Sequence, residues 1–114
     1  MKIFFTSVIC LICLASCQTQ TSLYSWYDLE NATYMYTKRG TEKTLAQAMA
    51  QYDKVIAKQK GIRKTVPPGV NAEYGFLLYK AGKKEEGLAL LREEIKAYPE
   101  SETFVSRIIK QLEK

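Results

Sequence analysis

The sequence predicts an all-α domain: two helical hairpins closed by a C-terminal capping helix. Three observations carry this. Between breakers, apolar residues recur at spacings of three and four, the period of one helix face. No segment alternates apolar with polar residues for long enough to make a strand. The breakers Gly40, Gly61, Pro67-Pro68-Gly69, Gly82 and Pro99 divide the chain into helix, turn, helix, loop, helix, turn, helix and closing helix.

The first helix spans about residues 27–38, with Leu29 and Tyr36 on its apolar face, and a turn follows at Arg39-Gly40. Thr41 is placed to cap the second helix, whose first turn carries Glu42 at the positive end of the helix dipole. That helix runs to about Lys60, with Leu45, Met49, Tyr52 and Ile56 in its stripe, and Gly61 stops it. After the loop Ile62–Pro68, a third helix covers about 70–81, with Tyr74, Leu77, Leu78 and Ala81. Gly82 turns the chain into a fourth, about 84–98, with Leu88, Leu91, Ile95 and Tyr98. Pro99 ends it. Ser101 is the expected cap of the last helix, which carries Phe104, Val105, Ile108, Ile109 and Leu112.

Composition narrows the function. The chain has 114 residues, with 17 Lys or Arg, 12 Asp or Glu and no histidine, which is room for one domain. Without imidazole there is no Ser-His triad, no His-ligated zinc and no His-ligated haem, which excludes most enzyme classes. The expectation is a protein that is not an enzyme and holds no cofactor or metal, against a minor alternative of an enzyme working through carboxylates and tyrosines.

The N-terminus reads as a processing signal. Lys2 is the only charge in the first 27 residues, and the apolar run Ile3 to Leu14 is broken only by Thr6 and Ser7. Twelve helical residues reach about 18 Å, short of the roughly 30 Å hydrocarbon core but suited to a secretory signal. The run closes with Leu14-Ala15-Ser16-Cys17. This tetrapeptide resembles the lipobox of bacterial lipoproteins: a leucine, two small residues that fit a protease cleft, then the cysteine that is lipidated. The resemblance implies that residues 1–16 are a signal peptide, removed on export, and that Cys17 carries the acyl chains anchoring the protein to a membrane. In the sorting rule of such lipoproteins an Asp after the cysteine retains the protein at the inner membrane. Gln18 therefore implies the outer membrane, with the domain facing the periplasm. Cys10 and Cys13 leave with the signal, so their C-x-x-C is neither a redox nor a metal pair. Residues 17–25, polar but for Leu23 and Tyr24, read as a lipidated tether, and 26–114 as the helical domain.

Pro68 to Ser101 resembles a tetratricopeptide repeat. Gly75 matches the glycine where the two helices approach closely, Gly82 the turn glycine and Pro99 the terminal proline. Gly87 stands in a small-residue slot and Leu91 in an aromatic one. Asn71 replaces the usual large residue, and Glu94 replaces a second small one. Residues 26–59 are a weaker copy, with Thr33 in place of the packing glycine. Two such hairpins and a capping helix are about the minimum that buries a shared core. The whole mature chain is also similar to a family of small bacterial lipoproteins known as a domain of unknown function (number four-eight-one-zero). The stretches that carry this are YSWYDLENATYMY at 24–36 and VPPGVNAEYGFLLYKAGK at 66–83. The resemblance implies periplasm-facing helical proteins, often encoded beside a lipoprotein similar to the curli secretion channel, and brings no catalytic residue.

Several clusters are candidate sites. Arg39-Gly40-Thr41-Glu42-Lys43-Thr44 ends in Lys-Thr, as phosphate loops do, but one glycine and a Glu before the lysine cannot wrap a phosphate; it reads as a helix start. Neighbouring carboxylates in Glu85-Glu86 and Glu93-Glu94 point about 100° apart on a helix and read as a solvated acidic face. Residues 38–84 hold eleven basic and three acidic groups, and Lys54, Lys58, Lys60, Arg63 and Lys64 crowd one stretch. Such a basic patch fits anionic headgroups, lipopolysaccharide or an acidic partner. Nucleic acid is not an expected partner for an exported protein. Of the many aromatics, Tyr36, Tyr52 and Tyr74 are expected in the core. The tetratricopeptide resemblance implies that the first helix of each hairpin lines a partner-binding groove, at Phe76, Tyr79 and Lys80, with Tyr34 and Lys38 as weaker equivalents. The expectation is a non-enzymatic adaptor with a protein partner in the cell envelope. The alternative is a basic module that binds anionic lipid or lipopolysaccharide.

Overall fold

A computed structural model describes residues 22–114. The expected signal peptide and lipid-attachment residue, Met1 to Thr21 including Cys17, lie outside the described residues. The rest is all-α: α1 (Leu29–Arg39), α2 (Glu42–Ala57), α3 (Val70–Lys80), α4 (Lys84–Ala97), a 3-10 turn (Pro99–Ser101) and α5 (Glu102–Leu112). Helix α1 packs on α2, α2 on α3, α3 on α4, and α5 against α4.

The α3–α4 pair is the most intimate contact, and two glycines make it so. A Cβ on Gly75 would stand 2.6 Å from the Gly87 carbonyl oxygen, and one on Gly87 would stand 2.5 Å from that of Gly75. Real carbon–oxygen contacts are no closer than about 3.3 Å, so only glycine at both positions lets the backbones meet. At the corresponding place in α1 stands Thr33, whose Oγ1 turns back onto the carbonyls of Leu29 and Glu30 at 2.9 and 3.0 Å.

Helix α2 starts where expected. Thr41 Oγ1 accepts the Thr44 N–H at 3.2 Å and Thr44 Oγ1 accepts the Thr41 N–H at 3.1 Å, a capping box with threonine in both seats. Its buried face is turned about one residue from the expected stripe. Thr44, Ala48, Tyr52 and Val55 are buried, while Leu45, Met49 and Ile56 are half-buried. Small residues at 44 and 48 let neighbouring helices come close, and the larger side chains flank that seam.

The helix also ends at Ala57, three residues before the expected end at Lys60. Gly61 is no helix stop. The backbone of Leu23 and Tyr24 lies directly on it, and a Cβ there would stand 2.6 Å from Tyr24 Cα. Ser22 to Ser25, expected as free tether, is thus fixed to the loop after α2. Ile62 and Arg63 donate their N–H groups to the carbonyls of Ser22 and Leu23 at 3.1 and 3.2 Å. Gln59 bonds both the N–H and the carbonyl of Ser25.

Two core clusters result. Leu29, Tyr52, Val55, Val70, Tyr74 and Leu78 join α1, α2 and α3. Leu88, Leu91 and Val105 join α4 and α5, with Tyr79, Ile108, Ile109 and Leu112 packed around them. Tyr52 and Tyr74 are core as expected, whereas Tyr36 is half-buried and Ala81 exposed. Ser101 does not cap α5: it belongs to the 3-10 turn and its Oγ donates to the Tyr98 carbonyl at 2.7 Å. Phe104 is 68% exposed, because Val105, one residue and 100° around the helix, takes the inward position.

Candidate functional site

Helices α3 and α5 flank an open cavity of about 650 Å³. Helix α3 supplies Ala72, Glu73 and Phe76, one helical face at steps of one and three. Helix α5 supplies Phe104, Val105 and Ile108, and α4 contributes Glu94 between them. The lining is mostly apolar, and its charged side chains are all acidic: Glu73, Glu94 and Glu100. Phe76 and Phe104 stand 45% and 68% exposed on its walls. Two large aromatic faces left to water around one concavity form the kind of patch that marks an interaction site.

Glu94 is not part of a solvated acidic face. It is 2% exposed, unlike its neighbours Glu85, Glu86 and Glu93. Its Oε1 accepts the Gly69 N–H at 2.7 Å, while Oε2 is buried with no partner among the described residues. Gly69 is the N-cap of α3, so the carboxylate sits at the positive end of that helix, where a negative charge is stabilised. The departure from the small residue of the tetratricopeptide pattern thus has a local reason: the side chain satisfies an N–H that no cap side chain reaches.

Of the expected groove residues, only Phe76 lines this cavity. Tyr79 packs into the α4–α5 cluster and donates its hydroxyl to the Leu112 carbonyl at 2.7 Å. Gly87 opens the space that it fills, since a Cβ there would stand 3.0 Å from Tyr79 Cβ. Lys80 is exposed but away from the lining. Tyr34 and Lys38 stack in a cation–π contact, Nζ 5.9 Å from the ring centroid, and Tyr34 borders a separate shallow depression with Tyr27 and Asp28. Of the five expected groove residues, the structure thus brings Phe76 alone to this cavity. A smaller cavity of about 350 Å³ lies between Trp26, Leu29 and Thr33 on one side and Glu73 on the other, so Glu73 borders two concavities.

The basic residues do share a surface, and the docked Ser22–Tyr27 segment organises it. Lys54 Nζ lies 4.4 Å from the Tyr27 ring centroid, and the Tyr27 hydroxyl donates to the Lys58 carbonyl. The Lys60 N–H donates to Ser25 Oγ at 3.0 Å, and Arg63 Nη1 to the Tyr24 hydroxyl at 3.4 Å. These four cations and Lys64 are exposed, and none forms an ion pair among the described residues.

The family profile described as a domain of unknown function (DUF4810) matches residues 23–108. The chain belongs to this family. The match takes in the docked segment, the basic loop and the α3–α5 cavity together. No curated protein and no solved structure matches the chain. Among the described residues no helix is long and apolar enough to cross a membrane, and no three His, Cys, Asp or Glu side chains are grouped as for a metal ion.

Proposed function

We propose that this DUF4810 protein is a non-enzymatic adaptor, anchored to the outer membrane through acyl chains on Cys17, with a tetratricopeptide-like domain facing the periplasm. Its α3–α5 cavity holds an extended segment of an envelope assembly or secretion component. The observation that carries the reading is the apolar concavity with Phe76 and Phe104 standing exposed on its walls. The absence of basic side chains from its lining favours a segment that offers an apolar side chain beside a Lys or Arg, which Glu73 and Glu100 would meet. The resemblance to proteins encoded beside a curli-secretion-channel-like lipoprotein makes such a lipoprotein the first partner to test. A sequence without histidine supports a binding role over catalysis.

Two experiments test the parts separately. Metabolic labelling with a clickable palmitate analogue should label the wild-type protein and not Cys17→Ser, and an unlabelled wild type would refute the anchor. Crosslinking in whole cells followed by affinity capture should recover one stoichiometric protein. Recovery of anionic lipid alone, lost at raised salt, would replace the adaptor by the basic surface module.

A further inference from the structure

The surface farthest from explanation by the cavity is the one built from Ser22–Tyr27 and the loop after α2. Leu23 and Ile62 are 52% and 60% exposed, although their backbones are held together by the bonds from Ile62 to Ser22 and from Arg63 to Leu23. A free loop could fold such residues away; here the pairing and the buried Gly61 hold both outward. Around them stand Lys58, Lys60, Arg63 and Lys64, and no acidic residue occurs from Lys54 to Ala72. Tyr24 and Trp26 meet edge to face at 6.2 Å beside them, with Trp26 46% exposed. Apolar side chains ringed by cations, with Trp and Tyr alongside, are what a membrane interface selects.

We propose that this surface docks on an anionic bilayer, with Leu23 and Ile62 entering the headgroup region between Lys58, Lys60, Arg63 and Lys64. The proposal rests on the lipid anchor of the preceding reading. Ser22 follows Cys17 by five residues, so an acylated Cys17 keeps this surface within about 18 Å of the interface even when the chain between them is fully extended. Attraction to anionic headgroups decays within about 8 Å at physiological salt, so a short leash turns a weak surface charge into a standing contact. Leash and patch act as the two signals that stable, oriented attachment requires. The α3–α5 cavity shares none of these residues and remains open to a partner.

Trp26 is the only tryptophan of the chain and lies in this surface, so its fluorescence reports on the contact directly. The full chain, expressed with its own leader and purified with its acyl chains, is reconstituted into vesicles of phosphatidylethanolamine and phosphatidylglycerol whose acyl chains are brominated. Acylation of Cys17 is read by mass spectrometry, and flotation confirms attachment. Trp26 quenching is expected to be about twofold or more above that in phosphatidylcholine vesicles and to fall as salt is raised. The quadruple variant Lys58→Glu, Lys60→Glu, Arg63→Glu, Lys64→Glu should still float yet lose the quenching, and Leu23→Asn with Ile62→Asn should do the same without a change of charge. Acylated protein that floats with Trp26 unquenched, or quenched equally in the charge-reversed variant, would overturn the docking and leave the anchor standing. An unmodified Cys17 would instead overturn the anchor and, with it, the docking.

Discussion

Tyr52 and Tyr74 stack face to face with ring centroids 4.9 Å apart, and each donates its hydroxyl to a carboxylate next to the other in sequence. Tyr52 reaches Glu73 at 3.1 Å and Tyr74 reaches Asp53 at 2.8 Å, so α2 and α3 are joined by a crossed pair of bonds around a stacked core. Burial first, and the neighbouring carboxylate second, raises both phenols above the ordinary tyrosine value. The fold therefore favours the neutral phenol. The stability this confers is present in full below about pH 10, the unfolded value, and is lost as pH rises through the raised folded values. Urea melts between pH 8 and 11 should show a stability loss at the alkaline end that is shallower in Tyr52→Phe with Tyr74→Phe. Because both carboxylates are exposed and can be rehydrated, each single Phe variant should cost no more than about 1 kcal/mol at neutral pH.

Gly87→Ala separates a packing role from a propensity effect by its sign. In an open helix the change to alanine stabilises by about 0.5–1 kcal/mol. Here the methyl meets the Gly75 carbonyl and the Tyr79 backbone, so a loss of about 1–3 kcal/mol is expected by chemical denaturation. A gain would mean that α3 and α4 do not approach as closely as described.

Leu78→Ala should unfold much of the domain, since truncating a buried leucine costs about 2–5 kcal/mol of a small total. Phe104→Ala, at a position 68% exposed, should leave the melting temperature near wild type. Circular dichroism melts of the pair distinguish core from cavity wall, and equal losses would place Phe104 in the core.

Glu94 offers a finer test. Glu94→Ala removes the only side-chain acceptor of the Gly69 N–H and should cost about 1–3 kcal/mol. Glu94→Gln keeps a carbonyl oxygen for that bond and should retain most of the stability. If the two variants fall equally, it is the charge rather than the hydrogen bond that holds the start of α3.

Much of the fold is legible in the sequence, for a physical reason. Gly75, Leu78, Gly87 and Leu91 work through neighbours within one hairpin, where helical spacing alone fixes who meets whom. The Thr41 cap is equally local. What escapes is what depends on distant backbone. Gly61 reads as a stop signal, but its role is set by Leu23 and Tyr24, some forty residues earlier, and no periodicity announces that pairing. Glu94 reads as solvated because its partner, the Gly69 N–H, lies on another helix. The cavity is half legible: Phe76 is among the expected groove residues, and Glu73 and Ala72 share its face three and four residues before it. Phe104 and Ile108 do not follow, because the packing of α5 against α4, set by Val105, decides which of its residues border the cavity. Tyr79 lies off the cavity for a similar reason, packed against the α4–α5 cluster with its hydroxyl on the Leu112 carbonyl.

The adaptor claim stands or falls on what touches the cavity in the living cell. A photocrosslinking residue placed as Phe104→benzoylphenylalanine should yield one discrete protein adduct in whole cells, diminished when Phe76→Ala is added. The same probe at Ala89, exposed on α4 and outside the cavity lining, should yield none. Equal adducts from both positions, or none from position 104 in folded, membrane-attached protein, would contradict a partner-binding cavity between α3 and α5.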